Sequence, residues 1–398
     1  MNKKLSLGIV ISLIAIACAI TYVVTITVST NMFNQRIGGV TQREEIYSKI
    51  QEIDTYVRNA SYYDIDEEAL ISGVVNGYVS GLADSSAEYL TAAQALKRQQ
   101  ITSGTLVSIG VEVSREESGY LRVDTIYANS PAESLDIKIG DIITEVDGSN
   151  VLETGAEAAI SALDGDDGTN VRLSVQRSGE TINITATRRS FTIHSVTSTL
   201  VSGYGYIRID TFNGMTGDQF VSELQSLEAQ GVLGYVIDVR GSSGTYDCLQ
   251  QMLSQFIPAQ VVANARYRDG TVAKFLETSG EALVDVSVVV VADENTSGAA
   301  ELFAVSLKDF ASAMVVGKQT AGDAKVTEIK NLSDGAAMVL TTAEFLPTGS
   351  TSVSGGIKVD FSVDLTGAMD TAPTETVSFD PQINKAFEVL ESLKIRKV

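Results

Sequence analysis

Alternating apolar strands and amphipathic helices over residues 191–380 constrain the fold of this chain most. Apolar runs typical of buried strands alternate with segments whose apolar residues recur with the period of a helix. This alternation predicts an α/β layer with parallel strands, whose ligands gather beyond the carboxyl ends of the strands. The turns at those ends are DVRGSSGT and ADENTSGAAE. The predicted strands are GYGYIRID, VLGYVIDV, VSVVVVAD, SAMVVG and a β-rich run over 325–349, and the predicted helices are TGDQFVSELQSLEAQ, YDCLQQMLSQF and AAELFAVSLKDF.

The composition excludes several classes of function. The chain has 398 residues and is 44% hydrophobic, which is enough for two or three domain-sized cores. A net charge of −21 repels nucleic acid, so no nucleic-acid partner is predicted. The only histidine is His194, which removes a Ser-His-Asp triad and most zinc sites; no metal or cofactor is predicted. Two cysteines, Cys18 and Cys248, lie in different contexts and predict no disulfide.

The N-terminus carries a long uncharged segment. Residues 5–29 follow Lys3 and Lys4, and as a helix they are long enough to cross the hydrocarbon core of a bilayer. This pattern predicts an uncleaved signal anchor, with residues 1–4 in the cytoplasm and the bulk of the chain extracytoplasmic at the cell membrane. Cys18 then lies in the membrane. The alternative is a cleaved signal peptide, for which the apolar region is unusually long.

Residues 40–100 are helical in pattern. REEIYSKIQEIDTYV and DEEALISGVVNGYVSGL are two amphipathic runs, and the second opens with acidic residues that favour a helix N-terminus. Such faces need a partner. They pack either on the body of the same chain or against a second chain, and the pattern does not distinguish these two.

Residues 101–190 alternate in the manner of strands and resemble a PDZ domain. Gly140 and Asp141 predict a tight turn into a strand, Asp147 and Gly148 predict a hairpin, and TGAEAAISALDG predicts a helix. In PDZ domains a loop before the second strand binds a peptide's C-terminal carboxylate while the peptide adds a strand to the sheet edge. The alternative is a PDZ shell without a ligand. The residues that match this loop are Ser108, Ile109, Gly110 and Val111.

The order of these parts resembles the C-terminal processing peptidases, also called tail-specific proteases. GYIRIDTF, GYVIDVRG, ENTSGAAE, VVGKQTAGDAK and FDPQINKAFEVL carry the resemblance, together with the segments described above. It implies an α/β (α+β multidomain) protein: a transmembrane helix, a helical segment over 40–100 and a PDZ β-barrel-like domain over 101–190. A ClpP/crotonase-like α/β peptidase core over 191–380 and a C-terminal helix over 381–398 complete it.

The family's chemistry depends on a serine nucleophile and a lysine base, and the matching positions here carry other residues. With Glu301 as the reference, the resemblance places Gly298 at the serine and Asp323 at the lysine, and Thr327 at a supporting glutamine. Glycine has no nucleophile, and a carboxylate is the wrong charge type for that base. The family's Asn-Pro-Gly-Gly turn, which shapes the oxyanion region, is also replaced. It reads Ser242-Ser243-Gly244-Thr245 here, and the residues predicted for the oxyanion region are Gly241, Ser242, Ser243 and Gly244. The sequence therefore predicts a peptidase fold without its catalytic dyad.

Other interpretations of this site remain open. A shifted dyad of Ser297 and Lys325 is an alternative, although a one-residue shift redirects the serine side chain. Cys248 could supply a thiol, but a single cysteine is more often an apolar filler. Asp293, Glu294 and Asp323 could together favour a cation. At the end of one strand, Asp238 and Arg240 are predicted to form an ion pair, and His194 has no obvious partner.

Two functions follow from these patterns. The first is a membrane-anchored pseudopeptidase that binds peptide or protein C-terminal tails, or that assembles with itself or with an active relative. The second is an active serine-type endopeptidase with the shifted dyad. The identities of Gly298 and Asp323 favour the first function over the second, because neither residue can act as the family's nucleophile or base.

Overall fold

The computed structural model describes residues 20–22, 24–26, 44–365 and 380–396, with side chains described up to residue 393. The packing divides the chain into two units, residues 1–75 and 76–398. Within the described ranges no helix combines the length and apolar composition required to cross a bilayer. Most of the predicted anchor, residues 5–19, 23 and 27–29, lies outside those ranges.

The first unit contains helix α1 over 44–60 and most of α2 (Glu67–Ser80), which confirms the two predicted helical runs. Arg58 joins them, since its guanidinium contacts Asp54 at 2.9 Å and Glu67 at 2.5 Å. Several apolar side chains of α1, among them Ile46 and Ile53, are exposed within this unit.

The second unit begins with a strand that the sequence pattern did not predict. Strand β1 (Glu88–Leu90) lies inside the segment predicted as helical, and it pairs with a later strand at Ala337–Val339. The prediction was wrong there because burial of Leu90 against that strand is a long-range contact. Helix α3 (Ala92–Ser103) follows, with a capping box formed by Thr91 and Gln94.

An antiparallel sheet with the order β3-β4-β5-β7-β8 forms the PDZ-like part. Asp147 and Gly148 both have positive φ, 50° and 82°, as a two-residue hairpin of type I′ requires, which confirms this turn. The predicted helix is confirmed as Ala156–Leu163, and a short helix over Val151–Thr154 that was not predicted precedes it, separated by Gly155 with φ 86°. The elements are β2 (Thr105–Ser108), β3 (Val111–Arg115), β4 (Leu121–Ile126), α4 (Pro131–Ser134), β5 (Ile142–Val146), β6 (Ser149–Asn150), α5 (Val151–Thr154), α6 (Ala156–Leu163), β7 (Asn170–Arg177), β8 (Glu180–Thr187) and β9 (Arg189–Thr192).

The predicted α/β layer is present as a sheet of order β10-β11-β12-β15-β16-β19. Strands β11 to β19 of this sheet pair in parallel, and β10 pairs antiparallel at one edge. Its strands are β10 (Val196–Val201), β11 (Tyr204–Ile209), β12 (Gly234–Asp238), β15 (Ser287–Ala292), β16 (Met314–Gly317) and β19 (Phe361–Ser362), and its helices are α7 (Thr216–Glu228), α8 (Leu249–Leu253), α9 (Ala299–Phe310) and α10 (Pro381–Arg396).

Alternate residues of these strands enter two different cores. Ile237 and Val290 pack with α7, α8 and α9 on one face, while Val236 and Val289 pack with α10 on the other. Both faces are therefore covered, as a parallel sheet requires.

A second sheet of the core was only partly predicted. Strands β17 (Lys325–Asn331) and β18 (Ala337–Pro347) form the expected β-rich run, but β13 (Val261–Tyr267) and β14 (Val272–Glu277) were missed. Much of β14 is exposed, so its composition lacks the apolar run of a buried strand.

Candidate functional site

Two turns meet at the carboxyl ends of β12 and β15, where the sequence predicts the site. The backbone N–H of Ser297 donates to Ser242 O at 3.0 Å, and the N–H of Gly241 donates to Asp293 Oδ1 at 2.9 Å. The Thr296 hydroxyl donates to Val239 O at 3.0 Å. These bonds fix the turn before α9 against the turn after β12.

Gly298 stands at the last position before α9 with an unusual backbone conformation. Its φ of 55° and ψ of −111° are disfavoured for residues with a side chain. A Cβ at this position would meet only the Tyr246 hydroxyl, at 3.4 Å. The conformation, rather than a lack of space, therefore favours glycine here.

Glu301 organises the site although its side chain is fully buried. Its Oε1 accepts hydrogen bonds from the Thr320 hydroxyl and from the N–H of Gly322 at 2.7 Å. Its Oε2 accepts from the N–H of Asp323 at 2.8 Å and of Gly298 at 3.1 Å. One carboxylate thus joins the two segments on which the family's nucleophile and base would lie.

The three positions matched to the family's serine, lysine and glutamine do not converge in the same way. Gly298 and Asp323 are both bound to Glu301 through their backbone N–H groups, but Thr327 is exposed on β17 beyond a register shift. The Asp323 carboxylate accepts from the N–H of Lys325 at 3.2 Å. No base is directed at Gly298 by this arrangement.

Tyr246 fills the space between these segments. Its hydroxyl donates to Lys325 O at 2.7 Å, and its ring packs edge-on against Phe275 and Phe345. Burial, with smaller contributions from Asp323 and Glu301, raises the pKa of Tyr246 above its ordinary range. The phenol is therefore a neutral donor, a role that no pattern in the sequence predicts.

The shifted dyad is not assembled in the structure. The Lys325 ammonium donates to the hydroxyls of Ser85 and Ser86 at 2.8 and 3.1 Å. Within the described residues the Ser297 hydroxyl has no hydrogen-bond partner. Nearby, the N–H of Thr341 chiefly, and Lys325 to a smaller extent, hold the pKa of Asp84 below its usual value. In this geometry Lys325 therefore binds the segment around Asp84 instead of the Ser297 hydroxyl.

The remaining candidates have structural partners. Burial raises the pKa of the Cys248 thiol to about 12, which makes it a poor nucleophile. His194 contacts the Asn129 amide at 2.9 Å, a partner that the sequence pattern did not predict.

The predicted acidic cluster is absent among the described residues, since no group of three acidic, histidine or cysteine side chains there could hold a metal. Asp293 binds the N–H of Gly241, and Glu294 lies 3.9 Å from the Lys318 ammonium. The proposal of a cation site was therefore wrong.

In the turn predicted to shape the oxyanion region, two of the four backbone N–H donors are bound within the protein. The N–H of Gly241 is bound to Asp293, and that of Ser242 donates to Val239 O at 3.1 Å. Ser243 O accepts from the N–H of Phe212 at 2.8 Å. At Gly244 a Cβ would lie 2.0 Å from Phe212 O, so this close approach requires glycine.

The predicted ion pair of Asp238 and Arg240 is confirmed, at 2.6 Å, and is buried. Although burial alone would raise it, Arg240 and Arg208 hold the pKa of Asp238 below its usual value. Arg240 also contacts Asp380 at 2.6 Å and Gln382 at 2.9 Å. This network ties the end of β12 to the start of α10.

The PDZ-like part presents a groove of about 640 Å³ beside strand β3. In its loop the N–H of Gly110 donates to the Ser108 hydroxyl at 2.9 Å, and Gly110 O accepts from the N–H of Tyr127 at 3.0 Å. A Cβ at Gly110 would lie 2.0 Å from Ser130 Cβ, which explains the glycine. Ser108, Ile109 and Val111, three of the four predicted loop residues, line the groove.

Comparisons with known proteins match both parts. Residues 203–363 match the model of Peptidase family S41, and residues 122–177 match that of a PDZ domain. The carboxy-terminal processing protease CtpA of Bacillus subtilis (strain 168) is 26% identical over 371 residues, covering 92% of this chain and 78% of that protein. A probable CtpA-like serine protease of Staphylococcus aureus (strain MSSA476) is 27% identical over 360 residues, covering 89% and 72%. Among solved structures, the photosystem II D1 C-terminal processing protease is 23% identical with a TM-score of 0.47, covering 79% of this chain and 86% of that one.

Proposed function

The chain belongs to the family of C-terminal processing peptidases, and we propose that it is a membrane-anchored pseudopeptidase that binds peptide C-terminal tails without cleaving them. One observation carries the loss of activity: Gly298 stands before α9, at the position that matches the family's nucleophile, and glycine has no side chain that could attack a substrate.

The surroundings of Gly298 support the same proposal. A serine nucleophile needs a base in contact with its hydroxyl and N–H groups free to bind the oxyanion. Asp323 replaces the base, the Tyr246 hydroxyl beside Gly298 is bound to Lys325 O, and the N–H of Gly241 is bound to Asp293. The nucleophile, the base and a free oxyanion donor would therefore each have to be restored separately.

The binding half of the proposal rests on the groove beside β3. Strand addition to a sheet edge gives a peptide main-chain hydrogen bonds, and the loop at Gly110 precedes the edge strand as the binding mode requires. The family's peptidase relatives act on polypeptide substrates, which is consistent with a retained affinity for peptide tails.

A cleavage and binding assay tests this function. Full-length protein in mild detergent is incubated with an unstructured polypeptide labelled at its C-terminus, and both cleavage and fluorescence anisotropy are followed. We expect binding without cleavage. The triple variant Gly298→Ser, Asp323→Lys, Thr327→Gln tests whether activity can be restored.

The alternative of a shifted dyad has its own control. If the wild-type protein cleaves the polypeptide and Ser297→Ala abolishes cleavage, the protein is an active serine endopeptidase and the pseudopeptidase proposal is wrong. Lys325→Ala should then also abolish cleavage, whereas the Ser85 and Ser86 contacts predict only a structural effect.

The location of the protein is part of the proposal. Residues 5–29 are uncharged and follow two lysines, which supports an anchor with the remainder of the chain outside the cytoplasm. Protease treatment of intact cells from which the wall has been removed should degrade the chain, and alkaline carbonate should not extract it. Release by carbonate would contradict the anchor.

The remaining part of the proposal is that the protein assembles with a second copy of itself or with an active relative. The exposed apolar faces of α1, within the first unit, support such a contact. Light scattering of the purified protein should show a dimer, or a complex after an active relative is added. A monomer under both conditions would remove this part.

A further inference from the structure

Strand β3 (Val111–Arg115) presents a free edge to the groove. It is the first strand of its sheet and pairs only with β4 among the described residues. A peptide added at this edge would form main-chain hydrogen bonds with it. This inference therefore rests on the proposed peptide-binding function, and it concerns which peptides the groove prefers.

The side chains of β3 alternate between two faces. Val111 and Val113 are partly buried against the core of the PDZ-like part, and Glu112 between them is exposed. Side chains of paired residues on neighbouring antiparallel strands lie on the same face. A peptide whose apolar terminal residue faces the core therefore places its penultimate side chain on the face of Glu112.

The charged side chains that line the groove are mostly acidic. Two of the acids are neutralised, since Asp164 is 2.8 Å from the Lys97 ammonium and Asp124 is 2.9 Å from the guanidinium of Arg122. Glu112 and Asp166 have no cation within ion-pair distance in the described part of the chain. The lining charges are Lys97, Glu112, Asp124, Asp164 and Asp166.

Glu112 is held by a neutral hydrogen-bond donor in this setting. Its carboxylate accepts a hydrogen bond from the hydroxyl of Tyr127, a neutral donor. Burial chiefly, together with Glu112, raises the pKa of Tyr127, so the phenol stays protonated. The carboxylate is thus positioned by a hydrogen bond while its charge remains available to a ligand.

From this geometry we propose that the groove selects peptide tails with an apolar last residue and a lysine or arginine at the penultimate position. Glu112 is the specificity-determining residue, and Asp166 adds to the negative potential. The terminal carboxylate binds the backbone of the loop at Gly110. An acidic penultimate residue is repelled.

Three labelled peptides that differ only in a penultimate Lys, Ala or Glu test this preference by anisotropy with the full chain. We expect the Lys peptide to bind roughly fivefold more tightly than the Ala peptide, as an exposed ion pair of up to about 1 kcal/mol allows, and the Glu peptide to bind most weakly. Added salt should reduce the differences.

The Glu112→Gln variant identifies the residue responsible. Glutamine keeps the shape and the acceptor for Tyr127 but removes the charge, so the Lys and Ala peptides should bind equally. Glu117→Gln is the matched control, because Glu117 is exposed in the neighbouring β3–β4 turn outside the groove.

The outcomes distinguish the inference from the function on which it rests. If all three peptides bind the wild-type protein with equal affinity, or if Glu112→Gln keeps the preference for lysine, the inference is wrong and peptide binding stands. If none of the peptides binds, the proposed function itself fails.

Discussion

The groove beside β3 and the turn before α9 belong to one chain, yet they differ in what their geometry allows. At the groove, a strand edge is free and the carboxylate of Glu112, bound by the Tyr127 hydroxyl, lies next to the space for a ligand. At the turn, the carboxylate of Glu301 and the hydroxyl of Tyr246 are committed to bonds within the protein. If the proposed function holds, the framework around Gly298 is kept for structural reasons while the groove remains available to a ligand.

The largest expected effect tests whether the turn before α9 is a structural centre. Glu301→Ala leaves the buried Thr320 hydroxyl and the half-buried N–H donors of Gly298, Gly322 and Asp323 without their acceptor. We expect a loss of about 3–5 kcal/mol in the free energy of unfolding, measured by urea denaturation. The control Glu294→Ala, at an exposed position of the preceding turn, should change it by less than about 0.5 kcal/mol. Equal effects would contradict a central role for Glu301.

The next effect concerns the groove. Gly110→Ala combines a positive φ of 86° with a Cβ that would lie 2.0 Å from Ser130 Cβ. We expect a loss of about 3 kcal/mol in the stability of the PDZ-like part, together with loss of peptide binding. Anisotropy titrations and thermal melts measure the two effects. Normal binding by this variant would exclude the loop at Gly110 as the carboxylate site.

A smaller effect is expected at the turn itself. Gly298→Ala imposes a side chain on a φ of 55°, although the space is open, so about 1–3 kcal/mol of stability should be lost. Peptide binding at the distant groove should be unchanged. Ser297→Ala is the matched control in the same turn and should be nearly neutral. Weaker binding by a folded Gly298→Ala variant would show that the two regions are coupled.

The smallest effect is a dependence on pH. The pKa of Asp84 is lowered in the folded protein, so its contribution to stability is present above the ordinary carboxyl pKa of about 4 and is lost as pH falls through the lower folded value. Because Asp84 is only half-buried and water screens its charge, this contribution should be below about 1 kcal/mol. Asp84→Asn should flatten the stability profile below about pH 4 relative to the wild type. An unchanged profile would contradict this role.

The sequence predicted those parts of the fold that local pattern determines. Strands β12 and β15 are buried on both faces, so their apolar runs were unmistakable. The half-exposed β14 has no such run, and β1 depends on pairing with a strand far along the chain. Local periodicity carries no information about such pairing.

In the candidate site, too, the sequence predicted what depends on local pattern and not what depends on long-range contacts. The resemblance supplied Gly298 and Asp323, because they stand at fixed distances from recognisable residues. The partners of Lys325 could not be predicted, since Ser85 and Ser86 precede it by about 240 residues. Tyr246 was missed for the same reason, as its hydroxyl bonds to a backbone oxygen 79 residues away.

The contacts of Arg240 with Asp380 and Gln382, at the start of α10, have a consequence for how the protein folds during its synthesis. Asp380 follows Arg240 by 140 residues, and α10 supplies the apolar cover for one face of the parallel sheet. While the ribosome is still translating the segment between them, the guanidinium of Arg240 has Asp238 beside it but lacks its second acidic partner, Asp380, and that face of the sheet is open to water. The core can therefore complete its folding only after α10 has been synthesised, whereas the PDZ-like part, whose sheet closes by residue 187, can fold much earlier.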